Sequence, residues 1–333
     1  MKDIKVGIIG SGFGMYGLVP AFNKTKNSHV VSICGKKSER MSKYCKKFNL
    51  KHYTNWKKMI NEEKPDAVAI AVIPIYQYEI AKYALEHDIA VFAEKPLTNS
   101  YETSLELFEL AKIKNLPNMM DFIFPEIPEW SAAKKIIEKN LHNLSLELNV
   151  KWDFLSYDSK LNLKTWKTDE QLGGGALSFF FSHTLYYLEF FLGRIKDITC
   201  KIYPSKTNSD QEMSISMDIL FQNGCVGNVV LNSQNKDNSC HTLEFSGKNF
   251  SLILKNINTY DQVTNFELMF NGEIISQKTD KLEKSSEDER IPAVTLLVER
   301  FIQWCINGKK SKPDFQDGLR VQELIDTCRR NNI

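Results

Sequence analysis

The sequence has no excess of charge of either sign. Its 333 residues carry 43 lysines and arginines against 41 aspartates and glutamates, a formal net charge of +2. A protein that binds nucleic acid or a membrane surface generally presents a clustered basic face, whereas the lysines here are spread along the chain. We therefore expect neither nucleic acid nor a membrane as a partner.

Paired cysteines and long apolar runs are also missing. The seven cysteines are widely spaced and include no C-x-x-C pair, so neither a disulfide framework nor a metal site is expected. No apolar run is long enough to cross a bilayer, and the N-terminal MKDIKVGIIGSG reaches a strand-like run without a signal-peptide pattern. Free thiols are typical of a reducing compartment, which predicts a cytoplasmic protein.

A glycine-rich turn follows the first β-branched run. Ile4–Ile9 has the composition of a strand, and Gly10, Gly12 and Gly14 come directly after it, before a helical pattern. The dinucleotide-binding fingerprint requires this context, because its glycines allow a tight turn and a close approach to a pyrophosphate at a helix N-terminus. Its third position is Met15 instead of glycine or alanine. The alternative is a glycine-rich turn that binds no ligand.

Apolar runs alternate with helical patterns through the first 120 residues. After the first strand they occupy His29–Gly35, Asp66–Pro74 and Ile89–Pro96. This alternation predicts a doubly wound parallel sheet of the Rossmann type, in which ligands lie beyond the carboxyl ends of the strands. The residues expected to meet there are Gly10, Gly35, Pro74 and Glu94-Lys95-Pro96.

The end of the second predicted strand favours a phosphorylated ribose. An NAD enzyme usually has an acidic residue there, about 20 residues beyond the glycines, but this chain has CGKKSER. Lys36, Lys37 and Ser38 are suited to bind a 2′-phosphate, and no carboxylate stands in place to repel it. The predicted cofactor is NADP(H), with NAD possible. The alternative is that two surface lysines simply precede a helix.

Several segments, taken in order, resemble the Gfo/Idh/MocA oxidoreductases, the relatives of glucose–fructose oxidoreductase and inositol dehydrogenase. They are AEKPLTNS after the fingerprint, then MDFIFPEIPEW, TWKTDEQLGGGAL and PDFQDGLRVQELIDTCRRN. The resemblance covers essentially the whole chain. It implies an α/β Rossmann domain over residues 1–120 that binds the dinucleotide. An α+β domain would follow over residues 121–333, with a large, mostly antiparallel open sheet for substrate binding and oligomerisation.

The sequence supports the second domain independently. Segments from residue 144 to 276 alternate apolar and polar residues, and Asn-Gly turns stand at 223–224 and 271–272, which predicts half-buried antiparallel strands. A charged loop is expected over 279–290. Helices are predicted over 292–308 and from Asp317, which would cap the last one. Whether this last helix packs back on the first domain is left open.

The resemblance also implies catalytic residues. Lys95 would lie beside the nicotinamide and contact the hydroxyl or carbonyl that undergoes hydride transfer. An ammonium group in such a desolvated cleft titrates closer to neutral pH, which suits proton transfer. His183, which follows three glycines, would share this work. Because it stands among aromatic residues, the alternative is a histidine buried in the core.

Aromatic residues replace polar ones around this histidine. The family's aspartate four residues before it is Phe179 here, and the residue three after it is Tyr186, a candidate substitute proton donor. Helical spacing would place Phe179, His183, Tyr186 and Tyr187 on one face of a single helix. Elsewhere, Tyr76-Gln77 and Pro125 replace a histidine and an arginine. These changes indicate either a substrate with an apolar or planar portion or a loss of dehydrogenase activity.

The predicted function is hydride transfer between NADP(H) and a hydroxyl or ketone carbon of a sugar or nucleotide-linked sugar. The alternatives are a non-catalytic NAD(P)-binding regulator or sensor, and a cofactor-assisted glycosidase of the same fold. A homo-oligomer, dimer or tetramer, is expected through the C-terminal sheet. The predicted catalytic residues are Lys95, His183 and Tyr186. The predicted cofactor-binding residues are Gly10, Gly12, Phe13, Gly14, Gly35, Lys36, Lys37, Ser38, Pro74, Glu94, Lys95, Trp166 and Lys167.

Overall fold

The computed structural model describes residues 2–141, 145–161, 163–204, 212–236, 239–256, 265–275 and 287–332. The chain forms two compact units. The first comprises Met1–Ile123 and Ser285–Gln322, and the second comprises Phe124–Lys284 and Glu323–Ile333. Of the charged segment expected as a loop, only residues 287–290 fall within the described part of the chain.

The first unit is built on a six-stranded parallel sheet. The order β3-β2-β1-β4-β5-β6 reverses direction between β1 and β4, which is where doubly wound sheets bind ligands. The central strand β4 is buried at all four positions, as expected for a strand covered on both faces. The strands are Ile4–Ile9 (β1), Ser28–Cys34 (β2), Lys51–Tyr53 (β3), Ala67–Ile70 (β4), Ala90–Ala93 (β5) and Asn118–Met120 (β6).

Helices connect these strands, and three of them begin at a polar cap. Ser38, Asn55 and Ser100 each accept a hydrogen bond from the amide three residues ahead, which satisfies a free amide of the first turn. A π-helical turn, Gly14–Leu18, leads from the glycines into the first helix. The helices of this unit are Val19–Lys24 (α1), Glu39–Phe48 (α2), Trp56–Glu63 (α3), Pro74–Glu86 (α4), Tyr101–Ile113 (α5) and, near the C-terminus, Ile291–Asn307 (α10).

The second unit contains an eight-stranded sheet in the order β14-β13-β12-β11-β7-β10-β9-β8. Only the β7–β10 pair is parallel among its described pairings, so the predicted fold class is confirmed. The predicted Asn271-Gly272 turn joins two strands with φ of 49° and 88°, as a tight hairpin requires. The strands are Glu147–Asp153 (β7), Ile195–Pro204 (β8), Glu212–Phe221 (β9), Val226–Asn232 (β10), Cys240–Gly247 (β11), Phe250–Asn256 (β12), Glu267–Phe270 (β13) and Glu273–Ile274 (β14).

Helices cover one face of this sheet around an aromatic core. The ring of Trp130 packs against Tyr187, Phe191 and Phe266 at centroid distances of 5.0–5.6 Å. Along β7 and β10 buried residues alternate with exposed ones, so the opposite face of the sheet is open. The helices are Pro128–Leu141 (α6), Tyr157–Leu161 (α7), Gly175–Phe179 (α8) and Phe181–Leu192 (α9).

Two helix predictions were wrong in their bounds. The predicted continuous helix through His183 is split at Phe180, so Phe179 ends α8 while His183 belongs to α9. The two successive rings pack on different partners, Phe179 on Trp166 and Phe180 on Phe154, and this packing overrides helical continuity.

The last helix, Phe315–Arg330 (α11), begins before Asp317. Its cap is Asp314, whose carboxylate accepts from the amides of Gln316 and Asp317, while the Asp317 carboxylate accepts from the Asp314 amide. This reciprocal arrangement is the logic of a capping box, which satisfies free amides at a helix start. In the first unit the Phe315 amide also donates to Asn118 Oδ1 at 2.8 Å.

Candidate active site

The glycine turn meets the steric demands of a dinucleotide site. Gly10 has φ of 135°, and a Cβ there would lie 2.2 Å from the carbonyl oxygen of Ala71, so only glycine fits. A Cβ at Gly12 would meet nothing within 4 Å, which leaves open space beside the turn. At Gly14 it would lie 3.2 Å from Ile8. Gly14 therefore provides the close helix–strand packing expected of the third fingerprint glycine, and Met15 is simply a buried core residue.

Phe13 is held between a glycine and an arginine. A Cβ at Gly17 would lie 2.1 Å from the Phe13 ring, and the Arg290 guanidinium stacks on this ring at 4.0 Å. Asp288 fixes that guanidinium through Nε at 2.9 Å and Nη2 at 2.8 Å. Sequence reasoning missed Arg290, because no local pattern links it to the turn. It adds a cation beside a loop suited to bind phosphates.

The second strand ends in an exposed basic segment. Lys36 and Lys37 are exposed, and Ser38 caps α2 by accepting from the Met41 amide at 3.1 Å. Arg40, also absent from the predicted set, donates to the carbonyl oxygen of Ser11 in the glycine turn at 3.1 Å. The structure therefore joins this segment to the glycine turn, as expected for a site that holds the adenosine half of a dinucleotide.

The Glu94-Lys95-Pro96 segment follows β5 at the same edge of the sheet. Gln77, on the helix that begins with Pro74, is 1% exposed. Its amide nitrogen donates to the carbonyl oxygens of Glu94 at 2.6 Å, of Pro96 at 3.0 Å and of Leu97 at 3.0 Å. Gln77 thus fixes the backbone on both sides of Lys95, whose side chain is half-buried.

A second carboxyl group lies beside this segment. Asp121, directly after β6, is 3% exposed and lies beside Glu94 at the ends of neighbouring strands. Burial, followed by the charge of Glu94, raises the pKa of Asp121 well above its usual value, against the opposing charges of Arg290 and Lys95. The sheet edge therefore brings together the glycine turn, two carboxyl groups and Lys95.

In the second unit, glycines bring Trp166 and Lys167 to Phe179. A Cβ at Gly174 would lie 1.9 Å from the carbonyl oxygen of Trp166, so the turn 166–168 can pack there only against glycine. The Trp166 ring meets the Phe179 ring edge-on at 5.4 Å, and Lys167 Nζ lies over it at 5.3 Å. The two predicted cofactor residues of this unit are therefore adjacent to Phe179, the position at which the resemblance implies an aspartate.

His183 and Tyr186 are half-buried residues of α9. The His183 ring packs edge-on against Phe124 at 5.2 Å. Tyr187, by contrast, is fully buried and hydrogen-bonded through its hydroxyl to His241 Nε2 at 3.1 Å. Burial lowers the pKa of His241 to about 3, so the histidine with the properties of a core residue is His241. The predicted stripe of four residues on one helix is not formed.

A cavity of about 140 Å³ lies in the second unit beside Phe179. Its walls combine aromatic rings with charged groups, among them Phe154, Tyr157, Lys167, Phe179, Phe180 and Glu212. The Glu212 carboxylate accepts from the Leu177 amide at 3.2 Å, and burial raises its pKa in spite of Arg329. Arg329 also donates to Ser178 at 3.0 Å, so the C-terminal helix anchors α8.

Comparison with protein-family profiles identifies the family of the chain. The profile described as the oxidoreductase family's NAD-binding Rossmann fold matches residues 4–122, and the profile of its C-terminal alpha/beta domain matches residues 144–332. The chain belongs to the Gfo/Idh/MocA oxidoreductase family. The predicted family and the prediction of an NAD(P)-dependent oxidoreductase are thereby confirmed, and the glycine turn belongs to the family's NAD-binding Rossmann fold.

Relatives of this Gfo/Idh/MocA protein include sugar dehydrogenases. An uncharacterized oxidoreductase of Synechocystis sp. is 24% identical over 98% of this chain and 94% of its own. The levoglucosan dehydrogenase of Pseudarthrobacter phenanthrenivorans is 24% identical over 98% and 95%.

Among solved structures, levoglucosan dehydrogenase in complex with NADH and L-sorbose has a TM-score of 0.80 at 20% identity, covering 99% of this chain and 97% of its own. The WlbA dehydrogenase of Bordetella pertussis, in complex with NADH and UDP-GlcNAcA, has a TM-score of 0.82 at 14% identity over 99% and 96%. At such identities, these likenesses show the fold alone.

Within the described ranges, no helix is both long and apolar enough to span a bilayer. Among the same residues, no cluster of three or more His, Cys, Asp or Glu side chains could hold a metal ion. All seven cysteines are free thiols.

Proposed function

We propose that the protein transfers hydride between NADP(H) and a hydroxyl or ketone carbon of a sugar or nucleotide-linked sugar. The observation that carries this proposal is the Glu94-Lys95-Pro96 segment, held by Gln77 at the same sheet edge as the glycine turn. The space beside Gly12 and the cation Arg290 fit a bound dinucleotide. The first unit would bind the cofactor and the second the substrate.

The chain's own groups would then bind the substrate oxygen and move its proton. When bound, the nicotinamide supplies or accepts the hydride. Lys95 Nζ would donate a hydrogen bond to the reacting oxygen and hold the proton that this oxygen gains or loses. His183 or Tyr186 would complete the proton transfer, and Tyr186 would take the part that Phe179 cannot. Trp166 and Lys167 would contact the cofactor.

The preference for NADP(H) is supported by the end of β2. Lys36, Lys37 and Ser38 stand there without the carboxylate that binds a free ribose. Arg40, tied to the glycine turn, adds a further cation. These groups suit a dianionic 2′-phosphate better than a hydroxyl.

Lys36→Glu should separate the two cofactors. Because it replaces a cation by an anion, we expect the Kd for NADPH to rise about tenfold or more while the Kd for NADH changes little. Fluorescence titration with both cofactors measures this, with Lys26→Glu as the control at a lysine outside this segment. Equal effects on both cofactors, or none on NADPH, would contradict the 2′-phosphate assignment.

The substrate class is supported by the cavity beside Phe179. Aromatic rings pack on the C–H faces of sugars and on nucleobases, whereas carboxylates and lysines bind hydroxyl groups. The cavity offers both. Levoglucosan dehydrogenase, among the relatives, is named for a sugar. We propose a sugar with an apolar or planar portion, such as a deoxy position or a linked nucleotide.

Hydride transfer can be followed at the absorbance of the reduced cofactor. The purified protein, with NADPH or NADH and a panel of keto-sugars, should oxidise the cofactor with at least one sugar. Tight NADPH binding without turnover of any sugar would contradict the proposed reaction and favour a non-catalytic sensor. Hydrolysis of a glycoside without net cofactor turnover would instead support the glycosidase alternative.

We also propose a homo-oligomer, dimer or tetramer, formed through the open face of the eight-stranded sheet, and a cytoplasmic location. The exposed valines of β10 support the first proposal, and the seven free thiols support the second.

A further inference from the structure

Two carboxyl groups occupy matching places at the ends of neighbouring strands. In the parallel pair β5–β6, Ala93 is opposite Met120, and Glu94 and Asp121 come next along each strand. The Asp121 amide donates to the Ala93 carbonyl oxygen at 2.9 Å, and the Glu94 amide donates to that of Ile70 at 2.9 Å. Backbone pairing therefore sets the two side chains side by side, close enough for the charge of Glu94 to act on Asp121.

Two carboxyl groups set side by side can form a hydrogen bond only if one of them is protonated. Ionised carboxylates only accept, so one partner must carry the hydrogen. Asp121 is the buried one, at 3% exposure, whereas Glu94 is half-buried and also accepts from the Lys95 amide at 3.2 Å. Burial penalises an ionised group, so the proton belongs on Asp121.

The other charges around Asp121 do not reverse this assignment. Besides Glu94, the charged groups that face it are Arg290 and Lys95. Arg290 is already paired with Asp288 through two hydrogen bonds, so part of its charge is neutralised. Burial and the Glu94 charge prevail over the two cations.

We propose that Asp121 is protonated at neutral pH, donates its proton in a hydrogen bond to the Glu94 carboxylate, and so positions Glu94 for cofactor binding beside Lys95. The pair then carries one negative charge, and Glu94 cannot rotate without leaving the Asp121 hydroxyl unsatisfied. The positioning role rests on the proposed function, because it assumes that Glu94 binds the cofactor. The shared proton does not.

The proton on Asp121 makes stability depend on pH in a defined direction. In the unfolded chain this aspartate ionises near its usual pKa, whereas the folded protein keeps its proton to higher pH. The folded state then binds more protons, so stability falls as pH rises above the unfolded pKa, until the folded pKa is passed. An asparagine at this position can donate the same hydrogen bond without titrating.

Asp121→Asn, Asp121→Leu and the control Asp88→Asn, at an exposed aspartate, test the proposal in the full-length protein. Thermal unfolding at pH 5 and pH 8.5 tests whether Asp121 carries a proton in the folded protein. We expect the Tm of Asp121→Asn relative to wild type to be higher at pH 8.5 than at pH 5, with no such trend in the control. An equal difference at both pH values would overturn the protonated state.

NADPH titration tests the positioning. We expect Asp121→Asn to keep the wild-type Kd within about twofold, and Asp121→Leu to weaken it about fivefold or more, as for a lost hydrogen bond to a charged group. Wild-type affinity in Asp121→Leu, or equal loss in Asp121→Asn, would overturn the positioning role. If the wild type binds no dinucleotide, the proposed function fails and the positioning role with it, while the Tm result still decides the proton.

Discussion

At the scale of single residues, Gln77 shows how a buried side chain can position a site residue through the backbone. The resemblance implies a histidine at Tyr76-Gln77, and the sequence suggested that a polar site group had been lost there. In the fold, its buried amide donates to three carbonyl oxygens around Lys95. The side chain therefore contributes to the site through the backbone that presents Lys95.

Replacing Gln77 with leucine should displace Lys95 although Lys95 itself is unchanged. The variant leaves buried carbonyl oxygens unsatisfied, which should lower the free energy of unfolding by about 2 kcal/mol. Displacement of Lys95 should lower kcat/KM by about 10- to 100-fold. Gln316→Leu, at an exposed glutamine, is the control for both measurements. Unchanged kcat/KM in Gln77→Leu would show that Lys95 needs no such support.

At the scale of elements, the three glycines at the start of α8 each meet a different structural demand. Gly173 has φ of 85°, Gly174 lies against the backbone of the turn that carries Trp166, and Gly175 lies against the Glu212 carboxylate. They allow the turn and α8 to approach closely. Trp166 and Lys167 reach Phe179 as a result.

Gly174→Ala should separate α8 from the turn that carries Trp166. Because its Cβ would meet backbone atoms that cannot rotate away, we expect a loss of about 1–3 kcal/mol in the free energy of unfolding and a higher KM for the sugar. Gly227→Ala is the control, since its Cβ would lie no closer than 3.4 Å to any neighbour. Equal stability of the two variants, measured by denaturant unfolding, would contradict this account of the turn.

The elements themselves could largely be predicted from the sequence, because their signals are local. Alternating apolar residues and the Asn271-Gly272 turn indicated the strands of the second unit, and the glycines after Ile4–Ile9 indicated the dinucleotide turn. The division of the helix at Phe180 could not be predicted, since it follows from the separate partners of two neighbouring rings.

Contacts between distant segments were also out of reach. Arg290 stacks on Phe13 although the two residues are far apart in the sequence, and no local sequence pattern predicts that contact. The Glu94–Asp121 pair was missed for a different reason: Glu94 follows a predicted strand, but the short strand β6 that precedes Asp121 was not predicted. Without β6 there was no second strand end to align with that of β5.

At the scale of the whole molecule, the open face of the eight-stranded sheet is the surface through which we propose that the homo-oligomer forms. Val226 and Val230 are 46% and 38% exposed on β10, among polar neighbours such as Asn228. When a second copy covers apolar side chains in the middle of an exposed sheet face, their burial lowers the free energy of the assembly.

Replacing both valines with lysine should therefore dissociate the proposed oligomer. We expect the wild type to elute as a dimer or tetramer in size-exclusion chromatography with light scattering, and Val226→Lys/Val230→Lys as a monomer with an unchanged circular dichroism spectrum. Lys151→Glu on the adjacent strand β7 asks whether charge alone has this effect. A monomeric wild type would contradict the proposed assembly.

The most direct test of the proposed reaction is the rate of hydride transfer in Lys95→Ala. With NADPH and a sugar that the wild type turns over, we expect a kcat lower by about 100-fold or more and an NADPH Kd within about threefold of wild type. Lys112→Ala, at an exposed lysine on α5, should behave as the wild type. A Lys95→Ala variant that turns over the sugar at the wild-type rate would contradict the account.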